Sequence, residues 1–305
     1  MIYWGWADNT LTVVENNKLL SQTELTRTNV QLALEHGRPK KLFYHQQPWI
    51  KKTRQLYAKQ YERLWDKNPN TKMRELMPGL PSSRCISNHR CHASYGYYTS
   101  DYSDALVVVV DSVAEWDTTT VWECTNGTVK RLWTQRYPDS LGMWYSAMTQ
   151  RVGLTPNQDE HIFMNTIAPA GDADVLYEKM KSDFIIRKSI TTDPSIIFSK
   201  NFHFHRGCPQ WERWLHSIKD YANIAAATQK LYEELFVAFL RSVYFITNGK
   251  YKNIIITGKC NEITVANELA NLFFNNVYVP ELKQEQASTL GAVLSYTKTY
   301  MESEC

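Results

Sequence analysis

The sequence predicts an α/β protein made of two similar lobes that face a central cleft. Three observations lead there. A fully apolar run, Ala105 to Val110, ends at Asp111, as a buried strand does when it carries an acid to the rim of a sheet. A three-strand plan occurs at residues 2–25 and again at residues 104–135. At 305 residues the chain is long enough for one large core or two lobes.

The first copy of the plan starts with a strand over Ile2 to Ala7. Asp8-Asn9 turns the chain, Thr10 to Val14 alternates, Asn16-Asn17 makes a hairpin turn and Leu19 to Glu24 returns. In the second copy a strand ends at Asp111 and Thr118 to Glu123 follows. Asn126-Gly127 turns and Val129 to Gln135 returns. Two copies of one supersecondary unit imply two lobes, divided here into residues 1–103 and 104–305. On this plan Asp8 and Asp111 sit at the tips of matching turns. Each reads as a turn cap, or the two face each other across the cleft. In the second case one acts as general base on an acceptor hydroxyl and the other organises a metal or a water.

Between and after these units the pattern is mostly helical. Ser21 to Leu34 reads as a helix or its entry. Residues 50–66 read as one long helix from Ile50, Leu56, Tyr57, Tyr61 and Leu64. Pro78, Gly79 and Pro81 mark a loop leading to Asn88, His89 and His92, which are close enough in sequence to aim at one point. A helix with small residues on one side is expected from Ser140 to Gly153. Phe202 to His205 alternates as a strand with His203 and His205 on one face. Ile218 to Tyr244 is a long amphipathic helix closed by Asn248-Gly249, and Ile254 to Ile256 is a short buried strand running into Gly258 and Lys259.

Charge is nearly balanced at +3, but it is unevenly spread. Residues 37–79 hold eleven Lys or Arg against three acids, interleaved with Tyr44, Trp49, Tyr57, Tyr61 and Trp65. Such a segment either tracks nucleic-acid phosphates and stacks on bases, or is a solvated helix whose aromatics face the core. The six cysteines show no paired C-x-x-C, which suits a reducing cytoplasm. Cys85, Cys91 and His92 make half of a zinc pattern without a second half. No apolar run is long enough for a membrane span, and the N-terminus has no leader-like region.

The stretch from Ser87 to Trp122 resembles the O-carbamoyltransferases that modify nodulation factors and aminoglycosides. Their pattern is roughly H-H-x-x-H-A-A-S-A-F-Y, an apolar strand, then D-G-x-G-E-x-x-T-T. The resemblance continues at Ser140, Leu141, Gly142, Tyr145, Ser146, Ala147, Thr149 and Gly153, and at Gly291-Ala292. The transfer domain of that family is related to tRNA threonylcarbamoyl transferases, within the actin and sugar-kinase ATPase superfamily. The resemblance therefore implies an α/β fold of two RNase-H-like lobes. It implies transfer of a carbamoyl group from carbamoyl phosphate or carbamoyl adenylate to an acceptor hydroxyl. That acceptor is a sugar, a natural product, or a hydroxymethylated pyrimidine such as 5-hydroxymethylcytosine in DNA, with residues 37–79 as the DNA contact.

The same resemblance assigns residues. Asp8, Asp111 and His92 would be catalytic. The family's divalent ion, iron or similar, would fall to His92, to Asn88 where the family has His, and to Glu285 where it has Asp, with His89 as a substitute ligand. The donor loop would use Gly258, Lys259 and Asn267. The family's second glycine is Lys259 here, suited to a phosphate, and its first asparagine falls on Ile263. Glu160 would reach a ribose, and ATP would be a possible cofactor. The sequence shows no counterpart of the family's carbamoyl-adenylate-forming domain, so either a separate partner supplies that intermediate or the donor is used differently. Two other classes stay open: a non-catalytic nucleotide-binding scaffold, and a small-molecule kinase on the same fold.

Overall fold

Both lobes begin at tight turns that the sequence writes in asparagine and glycine. Asn16 and Asn17 adopt φ of 50° and 63°, and Asn126 and Gly127 adopt 48° and 73°. Positive φ at both central residues matches the twist of the flanking strands. The computed structural model describes residues 1–156, 158–203, 217–258, 265–282 and 284–301.

In the first lobe the strands are β1 (Ile2–Trp6), β2 (Thr10–Glu15), β3 (Lys18–Glu24), β4 (Lys41–Tyr44) and β5 (Ser83–Cys85). They form a sheet in the order β3-β2-β1-β4-β5. Between them lie α1 (Arg27–Glu35), α2 (Pro48–Tyr57) and α3 (Pro69–Leu76), and α4 (Asn88–Tyr98) follows. The second lobe repeats the order. Strands β6 (Asp104–Ala114), β7 (Asp117–Thr125) and β8 (Thr128–Arg136) form the meander. Helices α5 (Leu141–Arg151) and α6 (Tyr177–Phe184), the small pair β9 (Ile185–Arg187) and β10 (Ile197–Phe198), and the long α7 (Ile218–Ile246) come next. Then β11 (Asn253–Thr257), α8 (Val265–Ala270), β12 (Asn276–Tyr278) and α9 (Gln284–Met301) complete the chain. The sheet runs β8-β7-β6-β11-β12. In both sheets the meander is antiparallel and the last two strands are parallel additions to its first strand. The two-lobe expectation holds.

The apolar run in β6 has a simple cause. Leu106, Val108 and Val110 join the large core formed with Trp144, Tyr232 and Phe236, while Ala105, Val107 and Val109 face α4. A strand covered on both faces has no polar side to show.

Helices α4 and α9 lie between the lobes and touch. Gly291 of α9 is where they meet: a Cβ there would stand 1.9 Å from the carbonyl oxygen of Cys91. α9 also lies on the first sheet, with Thr12 and Thr289 hydroxyls 2.7 Å apart. The last helix thus returns to the first lobe.

Three expectations need correction. Asp111 is not at a turn tip. The strand continues to Ala114 through a register irregularity after Val110, and the turn is made by Glu115 and Trp116, with Glu115 at φ 47°. Residues 50–66 are not one helix. α2 stops at Tyr57, Lys59 takes φ 59°, and Tyr61–Trp65 is a separate 3₁₀ turn. Its aromatics face outward, with Trp49 at 74% and Trp65 at 87% exposure. Phe202 and His203 are not in a strand, and His205 lies outside the described residues. His203 packs against Tyr137 and sits 3.3 Å from the Arg54 guanidinium.

Glu115 binds the lobes together. Only 5% exposed, its carboxylate accepts from the backbone N–H of Gln47 at 2.8 Å and of Asn88 at 3.2 Å. Those amides open α2 and α4, where N–H groups lack helical partners. Burial pushes the carboxyl up to about 7, against the pull of the two amides. A carboxyl raised above its unfolded value favours the folded state in its protonated form. Its contribution is complete below pH 4.5 and is lost as the pH rises through about 7.

Two outcomes follow. Gly291→Ala lowers the unfolding free energy by about 1–3 kcal/mol, because a backbone carbonyl cannot step aside; denaturant titration reads it. Glu115→Gln removes the fall in stability between pH 4.5 and about 7, whereas Glu115→Ala destabilises at every pH by about 1–3 kcal/mol for each amide left without a partner. Thermal melts across that pH range distinguish the two.

Candidate functional site

Strand ends deliver the site. β4 ends at Tyr44 and hands on His45. β6 carries Asp111. α4 presents Asn88 and His92, four residues apart and so on one face, and α9 begins with Gln284 and Glu285. These elements enclose a cavity of about 180 Å³ lined by His45, Asn88, His92, Asp111, Glu285 and Ser288, with Gln46 at one side. Four of the expected residues, Asn88, His92, Asp111 and Glu285, therefore meet.

Asp111 is positioned by its backbone. At Gly142, the start of α5, a Cβ would stand 2.7 Å from the Asp111 carbonyl, and at Gly258 one would stand 2.6 Å from the Val110 carbonyl. Gly258 also needs its φ of 90°. The Ser140 hydroxyl donates to the Ser112 carbonyl at 2.6 Å. So the small residues of the Ser140–Gly142 motif let α5 and the end of β11 close on the strand bearing Asp111.

Asp8 lines the adjoining cavity, which shares Gln46 with the first. Its carboxylate accepts from Lys72 Nζ at 2.9 Å and from the Tyr44 hydroxyl at 3.4 Å. Burial works to raise it, but the Lys72 hydrogen bond and charge, with Lys51 and His45, hold it below the usual range. Glu285 goes the other way. Burial raises it, and the Asn9 N–H at 3.0 Å and Thr10 hydroxyl at 3.2 Å only partly offset this. The acids near the cleft are thus unequal. Asp8 is a paired anion, and Glu285, raised by burial, is the stronger base of the two.

Sequence reasoning missed His45, Ser288 and Lys51. His45 Nδ1 lies 2.8 Å from the Ser288 hydroxyl and 3.3 Å from the Asn88 amide nitrogen. Burial brings His45 down to about 3 and His92 to about 4. Both are neutral imidazoles at ordinary pH. Lys51 lines the second cavity, and its ammonium donates to Gln46 Oε1 at 2.8 Å. It is largely buried, which lowers its pKa, and no carboxylate among the described residues lies within ion-pair distance. A desolvated cation without a counter-ion is a place for an anionic ligand. His45 had a signal: it follows the apolar run Leu42-Phe43-Tyr44, just as Asp111 follows its own.

The remaining expected residues fall elsewhere. His89 does not reach the cavity. Its Nδ1 lies 2.8 Å from the Thr120 hydroxyl of β7. Glu160 accepts from the Ser146 hydroxyl at 3.0 Å, beside α5, and is not part of the cavity wall. Lys259 lies outside the described residues, as does Ile263, and the Asn267 side chain is not described.

As to a metal, Asn88 Oδ1 and His92 Nδ1 are buried without a hydrogen-bond partner among the described residues. They are donor atoms awaiting something. Yet no three His, Cys, Asp or Glu among the described residues are placed to hold an ion, and Glu285 Oε2 is engaged by Asn9 and Thr10. Also among the described residues, no helix is long and apolar enough to cross a membrane.

With this geometry in hand, comparisons with known proteins are informative. The profile described as Carbamoyltransferase N-terminus matches residues 42–294. An uncharacterised protein of Synechocystis is 25% identical over 237 residues, covering 74% of this chain and 38% of its own length. An uncharacterised protein of Methanocaldococcus jannaschii is 24% identical over 237 residues, covering 72% and 37%. The chain thus spans less than two fifths of these relatives. Among solved structures, the activator of 2-hydroxyisocaproyl-CoA dehydratase from Clostridium difficile, with bound ADPNP, aligns over 100% of this chain and 98% of its own at 12% identity, TM-score 0.52. HypF of T. kodakarensis aligns over 99% of this chain and 48% of its own at 11% identity, TM-score 0.51. These likenesses show the fold alone, an α/β arrangement of two lobes, each with a meander extended by parallel strands.

Histidines held neutral by burial resist protonation. Imidazole NMR signals of His45 and His92 are expected to stay in the neutral form well below pH 6.5, towards about 3 and 4. Because the unfolded chain takes up those protons first, both residues cost stability as the pH falls below 6.5.

Proposed function

We propose a function on one premise: the chain belongs to the Carbamoyltransferase N-terminus family. Membership supports carbamoyl transfer in general. The finer reading is an O-carbamoyltransferase that moves the carbamoyl group of carbamoyl phosphate, or of carbamoyl adenylate, to an acceptor hydroxyl. The observation that carries it is the pairing of two adjoining cavities, one holding the unpaired Lys51 and the other the neutral histidines with Asp111 and Glu285.

In this reading Lys51 holds the donor's phosphate. The carbamoyl group sits beside His92 and Asn88, whose Nδ1 and Oδ1 have no hydrogen-bond partner among the described residues, and the Asn88 Oδ1 accepts from the carbamoyl NH2. A base removes the acceptor's proton as its oxygen bonds to the carbamoyl carbon, and the carbon–oxygen bond to phosphate breaks. Glu285 suits the base role better than Asp8, which Lys72 keeps paired. Asp8 instead helps hold the lysines at the mouth of the cleft. Lys51 takes the phosphate role expected of Lys259. A divalent ion and ATP enter none of these steps.

For the acceptor, the exposed Trp49, Tyr57, Tyr61 and Trp65 on a basic segment favour a hydroxyl carried by nucleic acid, such as a hydroxymethylated pyrimidine. Purified protein with carbamoyl phosphate, with and without ATP, and a panel of hydroxyl acceptors tests the reading by mass spectrometry. A carbamoyl adduct on an acceptor supports it. No adduct on any acceptor overturns it. Lys51→Met leaves the fold intact by circular dichroism and weakens carbamoyl phosphate binding by about tenfold or more, the loss of one charge-assisted hydrogen bond.

A further inference from the structure

On the far side of Asn88 and Glu115 from the reaction cavity lies a larger groove of about 720 Å³. It runs between the start of α2, the start of α4 and the face of β7 and β8. Its cations are Arg90, Lys130, Arg131 and Arg136, and its acids are Glu115 and Asp117. Both acids are spent. Asp117 accepts from Arg131 at 3.0 Å, from the Thr134 hydroxyl at 3.2 Å and lies 3.6 Å from Arg136. Glu115 turns its carboxylate to the two helix amides. Arg90 and Lys130 have no ion-pair partner among the described residues. The groove therefore offers two free cations beside two half-neutralised ones.

Its apolar wall includes Ile50 and Trp116. Trp116 is held rigidly and is only partly covered. Its indole N–H donates to Thr53 at 2.9 Å, and its ring meets Tyr57 at 5.4 Å. A fixed aromatic face next to arginine forks is the means by which proteins hold a single nucleic-acid strand, phosphates on the cations and a base on the ring. From Ile50 the surface continues along α2 to the exposed Trp49.

We propose that this groove is a nucleic-acid subsite that seats the phosphates of a single strand on Arg90 and Lys130 and, several nucleotides further along, a base on Trp116, since Lys130 lies opposite Glu123 and Trp116 precedes Asp117 at the other end of β7. The wall separating it from the reaction cavity is Asn88, whose backbone meets Glu115 and whose side chain lines the cavity. A strand lying here carries a neighbouring nucleotide past the cleft. The inference rests on the reading that nucleic acid carries the accepting hydroxyl, and it places that carrier chiefly outside the basic segment 37–79.

Fluorescence anisotropy of labelled single-stranded DNA with the full chain tests it across a salt series. Lys130→Glu, exposed on β8, weakens binding about tenfold, and adding Arg90→Glu weakens it further and lowers the log–log salt slope by about one. Lys252→Glu, exposed just before β11 and outside the groove lining, changes nothing. Unchanged binding in the groove variants overturns the subsite, as does loss of binding only in Lys52→Glu/Lys67→Glu. Polyglutamate competing as well as the oligonucleotide also overturns it. Carbamoyl transfer to a small free alcohol is measured on the same proteins. Retained transfer with lost strand binding confirms a subsite separate from the chemistry, and absence of transfer in the unaltered chain refutes the transferase reading without touching the binding result.

Discussion

The structure depends on one buried carboxylate. Glu115, at the tip of the second lobe's first hairpin, is inserted into the amide ends of α2 and α4. Those helices belong to the first lobe's half of the cleft. Their orphan N–H groups need acceptors, and the helix termini favour negative charge. A single side chain therefore fixes the relative placement of Asn88, which opens α4, and Asp111, four residues upstream on the strand that runs into the Glu115 turn. Remove that link and the two sides of the reaction cavity lose their common anchor. Gly291 makes the complementary contact at the back, where α9 and α4 approach too closely for any side chain.

This arrangement also sets the charge pattern of the cleft. Burial acts on every group, but the outcome differs with the neighbours. Asp8 has Lys72 at 2.9 Å and is held down; Glu285 has only an amide and a hydroxyl and is raised. His45 and His92 are too enclosed to be charged. Two acids that look symmetric in the sequence thus acquire different chemistry from one difference in partner.

Much of the fold was legible because its signals are local. Period-two alternation, paired Asn and Asn-Gly turns, and the doubled meander are properties of short segments, and they located six strands within a few residues. The misses have a common physical origin. The bulge after Val110 moves the turn from Asp111 to Glu115, and no local preference marks a bulge. Lys59 adopts a left-handed conformation that favours glycine or asparagine, so nothing in the residue type announced the end of α2. For the site, the resemblance brought together Asn88, His92, Asp111 and Glu285 across nearly two hundred residues, which composition could not. His89 was set aside by helix geometry, since the turn that aims His92 inward aims His89 at Thr120. Lys51 stood with Tyr44, Pro48 and Arg54 in a stretch that resembles the family, but its role had no local signal until burial singled it out.

Positive charge around the cleft divides into two tasks, one inside the 37–79 segment and one outside it. Lys51 is largely enclosed and close to Asp8, His45 and Glu285, as its electrostatic influence on each shows. A cation so placed acts over a short range in a low dielectric, where it discriminates one small anion from another. Arg90 and Lys130 sit in an open groove, where charges are screened and each contributes little alone. Open, additive charges suit a long polyanion, and an enclosed single charge suits one phosphate. The division of positive charge across the Asn88–Glu115 wall matches the proposed reaction, whose two substrates would differ in that way, a small phosphorylated donor on one side and a large carrier of the acceptor on the other.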